Sequence, residues 1–88
     1  MQASSKKLLI ALGQVIYKHR CNTGKSVYKI SAESCIAKST WLRIEKGIHS
    51  NIDLTTLWKI AEGLEISLEY LINDVKNELG EKFSLIDE

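Results

Sequence analysis

Ser26-Val27-Tyr28-Lys29-Ile30-Ser31-Ala32-Glu33-Ser34-Cys35-Ile36-Ala37-Lys38-Ser39-Thr40-Trp41-Leu42-Arg43-Ile44-Glu45-Lys46-Gly47 reads as two short helices joined by a tight turn. Ser26 is placed to cap the first, because a serine oxygen accepts an orphan backbone N–H at a helix start. Ile30 and the small Ser31 face inward, and the turn falls near Ser34-Cys35-Ile36. The second helix runs from about Ala37 to Lys46, with Gly47 placed to stop it in a left-handed conformation. Turned at about 100° per residue, it puts Trp41 and Ile44 on one side, with Ala37 between them and Thr40 at the edge. Lys38, Ser39, Leu42, Arg43 and Lys46 fall on the other. One side buries an aromatic and a branched aliphatic, and the other shows three cations and a hydroxyl. A helix that enters a DNA major groove needs that division: an anchored back, and a front with donors for guanine and phosphates. An ordinary amphipathic surface helix has the same division, so the rest of the chain has to decide.

The chain has 88 residues, which suits one domain. It contains no proline and little β-branched alternation, which favours an all-α protein. The net charge is only +1 but is unevenly spread. Residues 1–50 hold nine Lys/Arg against two Asp/Glu, and residues 51–88 hold three against nine. Such a split suggests a basic face for a polyanion and an acidic end kept away from it. Two cysteines, Cys21 and Cys35, make no disulfide framework and read as reduced, partly buried thiols of a cytoplasmic protein. The run Leu8-Leu9-Ile10-Ala11-Leu12 is too short to span a bilayer, and no membrane partner is expected.

Outward from the central stretch, a first helix is expected from about Lys6 to Cys21, on Leu8, Leu9, Leu12, Val15 and Ile16. Asn22-Thr23-Gly24 breaks it. After Gly47 comes the polar loop Ile48-His49-Ser50-Asn51-Ile52. Asp53 is a cap for a fourth helix with Leu54, Leu57, Trp58, Ile60, Ala61 and Leu64. Ser67 caps a fifth, whose Leu68, Leu71, Ile72, Val75 and Leu79 make one apolar stripe. Gly80 closes it. The domain is expected over 1–80, with the paired-helix unit at about 26–47 and a short tail at 81–88.

From Leu12 to Ile72 the order of residues resembles the lambda-repressor and Cro-like, or Xre-type, helix-turn-helix family. Arg20, Gly24 and Ser26 stand where that family has an arginine, a glycine and a helix-two cap. Ser39-Thr40-Trp41-Leu42-Arg43-Ile44-Glu45-Lys46-Gly47 resembles its recognition helix, and Leu54 to Leu71 resembles its helices four and five. The resemblance implies a five-helix DNA-binding domain without cofactor, here with an extended fifth helix. It implies recognition contacts at Lys38, Ser39 and Arg43. Phosphate contacts would fall on Ser26 and Val27 and on the loop His49-Ser50-Asn51. Arg20 and Glu45 would form an ion pair. Thr40 at the helix edge, Leu42 against a thymine methyl and Lys46 on a phosphate complete the candidate DNA face. Three residues depart from the family pattern. Val27 replaces a frequent glutamine and leaves only a backbone N–H there. Cys35 replaces a turn glycine, which predicts a non-glycine residue at positive φ. Ala37 replaces a serine or threonine cap.

Other signals carry little. Gly24-Lys25-Ser26 lacks the earlier glycine and the preceding strand of a phosphate-binding loop. His19 and Cys21 are two apart on a helix, point apart and cannot share a zinc ion. The two histidines read as surface residues. Trp41 and Trp58 both read as core. Nothing pairs a nucleophile with a base, so no enzyme is expected. The expected function is a cytoplasmic, sequence-specific DNA-binding regulator, a repressor of a palindromic operator in double-stranded DNA. It would act as a homodimer through Leu71, Val75, Leu79, Phe83, Leu85 and Ile86. The alternative is a protein-interaction module on the same fold, such as an antitoxin subunit that binds a partner protein.

Overall fold

The computed structural model describes residues 3–50 and 52–86, and the expectation placed on Asn51 lies outside them. Five helices follow one another: α1 (Ala3–Thr23), α2 (Val27–Ser34), α3 (Lys38–Glu45), α4 (Leu54–Leu64) and α5 (Leu68–Leu79). The described residues include no strand. The fold is therefore the all-α, five-helix arrangement that the sequence predicts.

Local chemistry sets most of the helix boundaries. Ser26, Asp53 and Ser67 each accept a backbone N–H from the residue three places on, which satisfies an orphan donor at the start of α2, α4 and α5. That bond from Thr56 also holds the Asp53 carboxyl below its ordinary range. Three helices stop by one device. Cys35, Gly47 and Glu65 take left-handed backbone at φ of 57°, 72° and 61°. The isoleucine after each donates back into the helix: Ile36 to Ser31, Ile48 to Arg43 and Ile66 to Ala61. The N–H of each turn residue also bonds back, Cys35 to Ala32, Gly47 to Ile44 and Glu65 to Glu62, and these paired hydrogen bonds absorb carbonyls that would otherwise lack partners. Two of the three turn residues carry side chains, a conformation that costs an L-residue about 1–2 kcal/mol. Helix α1 is longer than expected at both ends. At its C-terminus Thr23 Oγ1 donates to Arg20 O and accepts from Lys25 N, which closes the turn.

The core sits where α1 packs on α3, α4 and α5, and where α2 packs on α3 and α4. Trp41, Ile16, Ile30, Ile44, Ile60 and Leu71 are its largest fully buried side chains. Burying an aliphatic side chain of this size contributes about 1.5–3 kcal/mol. Several side chains lie elsewhere than expected. Trp58 is 55% exposed, because Leu57, Ile60, Ala61 and Leu64 already fill the inner side of α4. Cys21 and Cys35 are exposed, not partly buried. His19 is no plain surface residue: its Nε2 lies 2.6 Å from Asp74 Oδ2, and its ring meets Tyr70 edge-on. That contact ties α1 to α5. Leu71 and Val75 are buried inside their own domain, so they have no surface to offer a second copy. Helix α1 packs on α5 and supplies the apolar neighbours, which the sequence reading had left to a second copy.

No helix of the described residues is long and apolar enough to cross a membrane. Replacing Ser67 by Ala should lower stability by about 1 kcal/mol, since it removes the capping bond to Tyr70 N–H. Urea unfolding would check this, and Ser67→Asp should restore most of the loss.

Candidate nucleic-acid interface

Helix α3 is held from behind. Trp41 and Ile44 are buried in the core, and Glu45 caps a knot of polar bonds. Arg20 Nε donates to Glu45 Oε2 at 2.6 Å, and Arg20 Nη2 donates to Glu45 Oε1 at 3.1 Å. Trp41 Nε1 donates to the same Oε2 at 2.6 Å. Arg20 Nη1 reaches Lys25 O, just before the Ser26 cap. One guanidinium therefore joins the end of α1, the approach to α2 and the end of α3. Its side chain and that of Glu45 are 14% and 7% exposed, so this is a buried, bidentate pair. The bond to Glu45 pushes the Arg20 guanidinium above its already high range, more than burial lowers it. The Arg20 guanidinium also lies 5.4 Å from the centre of the Tyr17 ring.

A second tie fixes α2 against α4. Lys25 Nζ donates to Gly63 O at 3.1 Å and pairs with Glu33 at 2.8 Å. That bond raises the Lys25 pKa and lowers that of Glu33. The pair is therefore intact between the two shifted values. It weakens as pH falls through the lowered carboxyl or rises through the raised amine.

In front, Lys38, Ser39, Arg43 and Lys46 are exposed, while Thr40 and Leu42 are half-buried. Ala37 makes no side-chain cap, so the start of α3 keeps open backbone donors. At the start of α2, Ser26 is exposed and its oxygen accepts from Lys29 N–H, while its hydroxyl hydrogen is not used by that bond. Val27 packs against the core, which leaves its backbone rather than its side chain on the surface. In the loop after α3, Ser50 is exposed and His49 half-buried, with a buried Nδ1 that has no partner among the described residues. Of the residues expected at a dimer contact, Leu79 and Phe83 are half-buried and Leu85 and Ile86 exposed. No group of three or more metal-binding side chains occurs among the described residues.

The sequence reading missed the Trp41–Glu45 bond, the Lys25 tie and the His19–Asp74 contact. No spacing signal exposes the last two, which join residues 38 and 55 positions apart. The Trp41–Glu45 bond spans one helical turn, and an indole four residues before a carboxylate could have suggested it.

A buried helix back, a cationic front and a preceding short helix joined by a tight turn define a helix-turn-helix domain. The model of the helix-turn-helix family matches residues 16–71. The chain belongs to this family, of the Xre or lambda-repressor-like type. It is similar to the HTH-type transcriptional regulator SlrR of Bacillus subtilis (strain 168), with 33% identity over 73 residues. Those residues are 83% of this chain and 47% of the relative, so the chain spans about half the length of the curated relative it matches. The matched family is a helix-turn-helix family, and the relative's own name is that of a transcriptional regulator.

Because Glu45 would lose its charged partner while staying largely buried, Arg20→Ala should destabilise the domain by about 3 kcal/mol. Arg20→Lys should recover only part of this, since an ammonium cannot reproduce the two parallel bonds. Chemical denaturation of the three chains would check both expectations.

Proposed function

We propose that this chain acts as a sequence-specific DNA-binding transcriptional regulator in the cytoplasm, a repressor that works by occupying its operator. One observation carries the reading most: Lys38, Arg43 and Lys46 stand exposed on a helix whose opposite side is buried and clamped. Lys38 and Arg43 would read guanine edges, with Ser39 and Thr40 adding hydrogen bonds and Leu42 meeting a thymine methyl. Lys46, Ser26, the Val27 backbone and the His49-Ser50 loop would hold phosphates, which set register without reading sequence. The basic half of the chain supplies a salt-dependent attraction.

The same proposal includes a homodimer on a palindromic site, with a revised contact surface. An open apolar groove of about 520 Å³ runs between α1, α4 and α5, walled by Leu8, Leu9, Leu57, Ile72 and Leu85. Ile86, the last described residue, is 93% exposed beside it in sequence. Exposed apolar surface of this kind marks interfaces. Two-fold pairing would set the two α3 helices about 34 Å apart, one DNA turn. The groove also suits a partner protein, the second reading, and salt separates that reading from DNA binding. DNA binding should weaken steeply between about 50 and 200 mM salt, whereas apolar association should not.

Selection of sites from random duplex DNA tests the main reading. Arg43→Ala should lose about 1–3 kcal/mol of discrimination at one base position. Lys46→Ala should weaken binding about equally for all sequences. If a folded Arg43→Ala selects the same sites with unchanged affinity, α3 is not the reading helix.

Sedimentation tests the dimer. The full chain should associate at tens of micromolar, and Leu85→Glu with Ile86→Glu should shift it to monomer. A wild-type chain that stays monomeric there would remove the homodimer and the palindromic site together.

A further inference from the structure

Helix α3 meets α1 by backbone rather than by side chains at one place. A methyl added at Gly13, in the middle of α1, would lie 2.5 Å from the carbonyl oxygen of Ile44 and 2.6 Å from that of Glu45. Both oxygens belong to the last turn of α3, and they are backbone atoms, which no rotamer change can move aside. One helical turn earlier on α1, the Cα of Ile10 would lie 2.8 Å from a methyl added at Gly47, in the turn that ends α3. The last turn of α3 therefore rests on α1 at two glycine contacts, with the Arg20–Glu45 pair beside them. Exposed Lys38, Ser39 and Arg43 ride on that helix.

We propose that Gly13 is a positioning residue for DNA recognition: by carrying no side chain it sets how far α3 stands from α1, and so where the α3 side chains meet the bases. The proposal rests on α3 being the reading helix. A binding constellation tolerates displacements of only about 0.5 Å. Gly13→Ala must displace the last turn of α3 by about that much or more, since real Cβ contacts essentially never fall below 3.0 Å. Phosphate contacts, which are electrostatic and forgiving in distance, depend far less on this spacing.

The test uses two duplexes: one selected from a random pool by the wild-type chain, and a scrambled duplex of the same length. Affinity for each is measured at low salt for the wild type, Gly13→Ala, Arg43→Ala and Ser67→Ala. Ser67→Ala serves as a stability control far from α3. For folded Gly13→Ala, the ratio of selected to scrambled affinity should fall about tenfold, the scale of one lost base contact, with scrambled affinity unchanged. Ser67→Ala should keep the wild-type ratio. If Gly13→Ala keeps that ratio, or loses affinity for both duplexes only in proportion to its unfolded fraction, the proposal fails. If Arg43→Ala keeps the ratio as well, the reading of α3 fails with it. Should Gly13→Ala not fold, Ile10→Ala decides, because it removes the side chain beneath Gly47 from a half-exposed position. A lowered ratio supports the seat, and an unchanged one overturns it.

Discussion

The bidentate pair between Arg20 and Glu45 joins the three pieces that must keep a fixed relation. Each of α2 and α3 has only eight residues. Helices of that length are not stable alone in water, so their packing has to be fixed from outside. Arg20 does this with one planar group, whose fork geometry sets orientation as well as distance. The indole N–H of Trp41 adds a third bond to the same carboxylate, which ties the polar knot to the largest side chain of the core. The pair is nearly buried, so each ion depends on the other to offset its lost hydration. Neither residue could change alone without leaving an unmatched charge.

Much of the fold was readable because its signals are local. The caps Ser26, Asp53 and Ser67 each act within three residues, and each accepts the expected backbone N–H. Cys35, standing where a glycine was expected, takes the positive φ that its position demanded. Trp58 shows where local reading stops. A helical wheel locates the side of α4 on which it lies, but which edge of that side is covered depends on neighbours far along the chain. Leu71 and Val75 show the same limit. Their stripe was plain in the sequence, and so was the apolar side of α1, yet nothing local showed that the two pack on each other. Within the candidate interface, exposure of Lys38, Ser39, Arg43 and Lys46 followed from the wheel. The packing of Val27 against the core did not, since the first turn of a short helix leans wherever its packing partners are.

Charge is divided between the same regions. Cations gather on α1, α2 and α3, while acids dominate α4, α5 and the tail. Among the described residues the acidic part keeps only some of its charge for local structure, as Asp74 does with His19 and Asp53 with the start of α4. The remainder faces solvent and would repel a polyanion from that end, which favours one orientation on approach.

The eight residues of α3 also set a limit that can be put in units of information. At about 1.5 Å per residue the helix is about 12 Å long, close to the width of the major groove. Such a helix reaches about four base pairs, at about 3.4 Å each. Four fully specified pairs amount to about 8 bits, whereas singling out one address among about a million takes about 20 bits. The stop at Gly47 therefore fixes more than a helix end. If α3 reads the bases as proposed, the stop also fixes how small a share of an address one copy of the domain can spell, and the rest would come from a second reader or from the shape of the DNA itself.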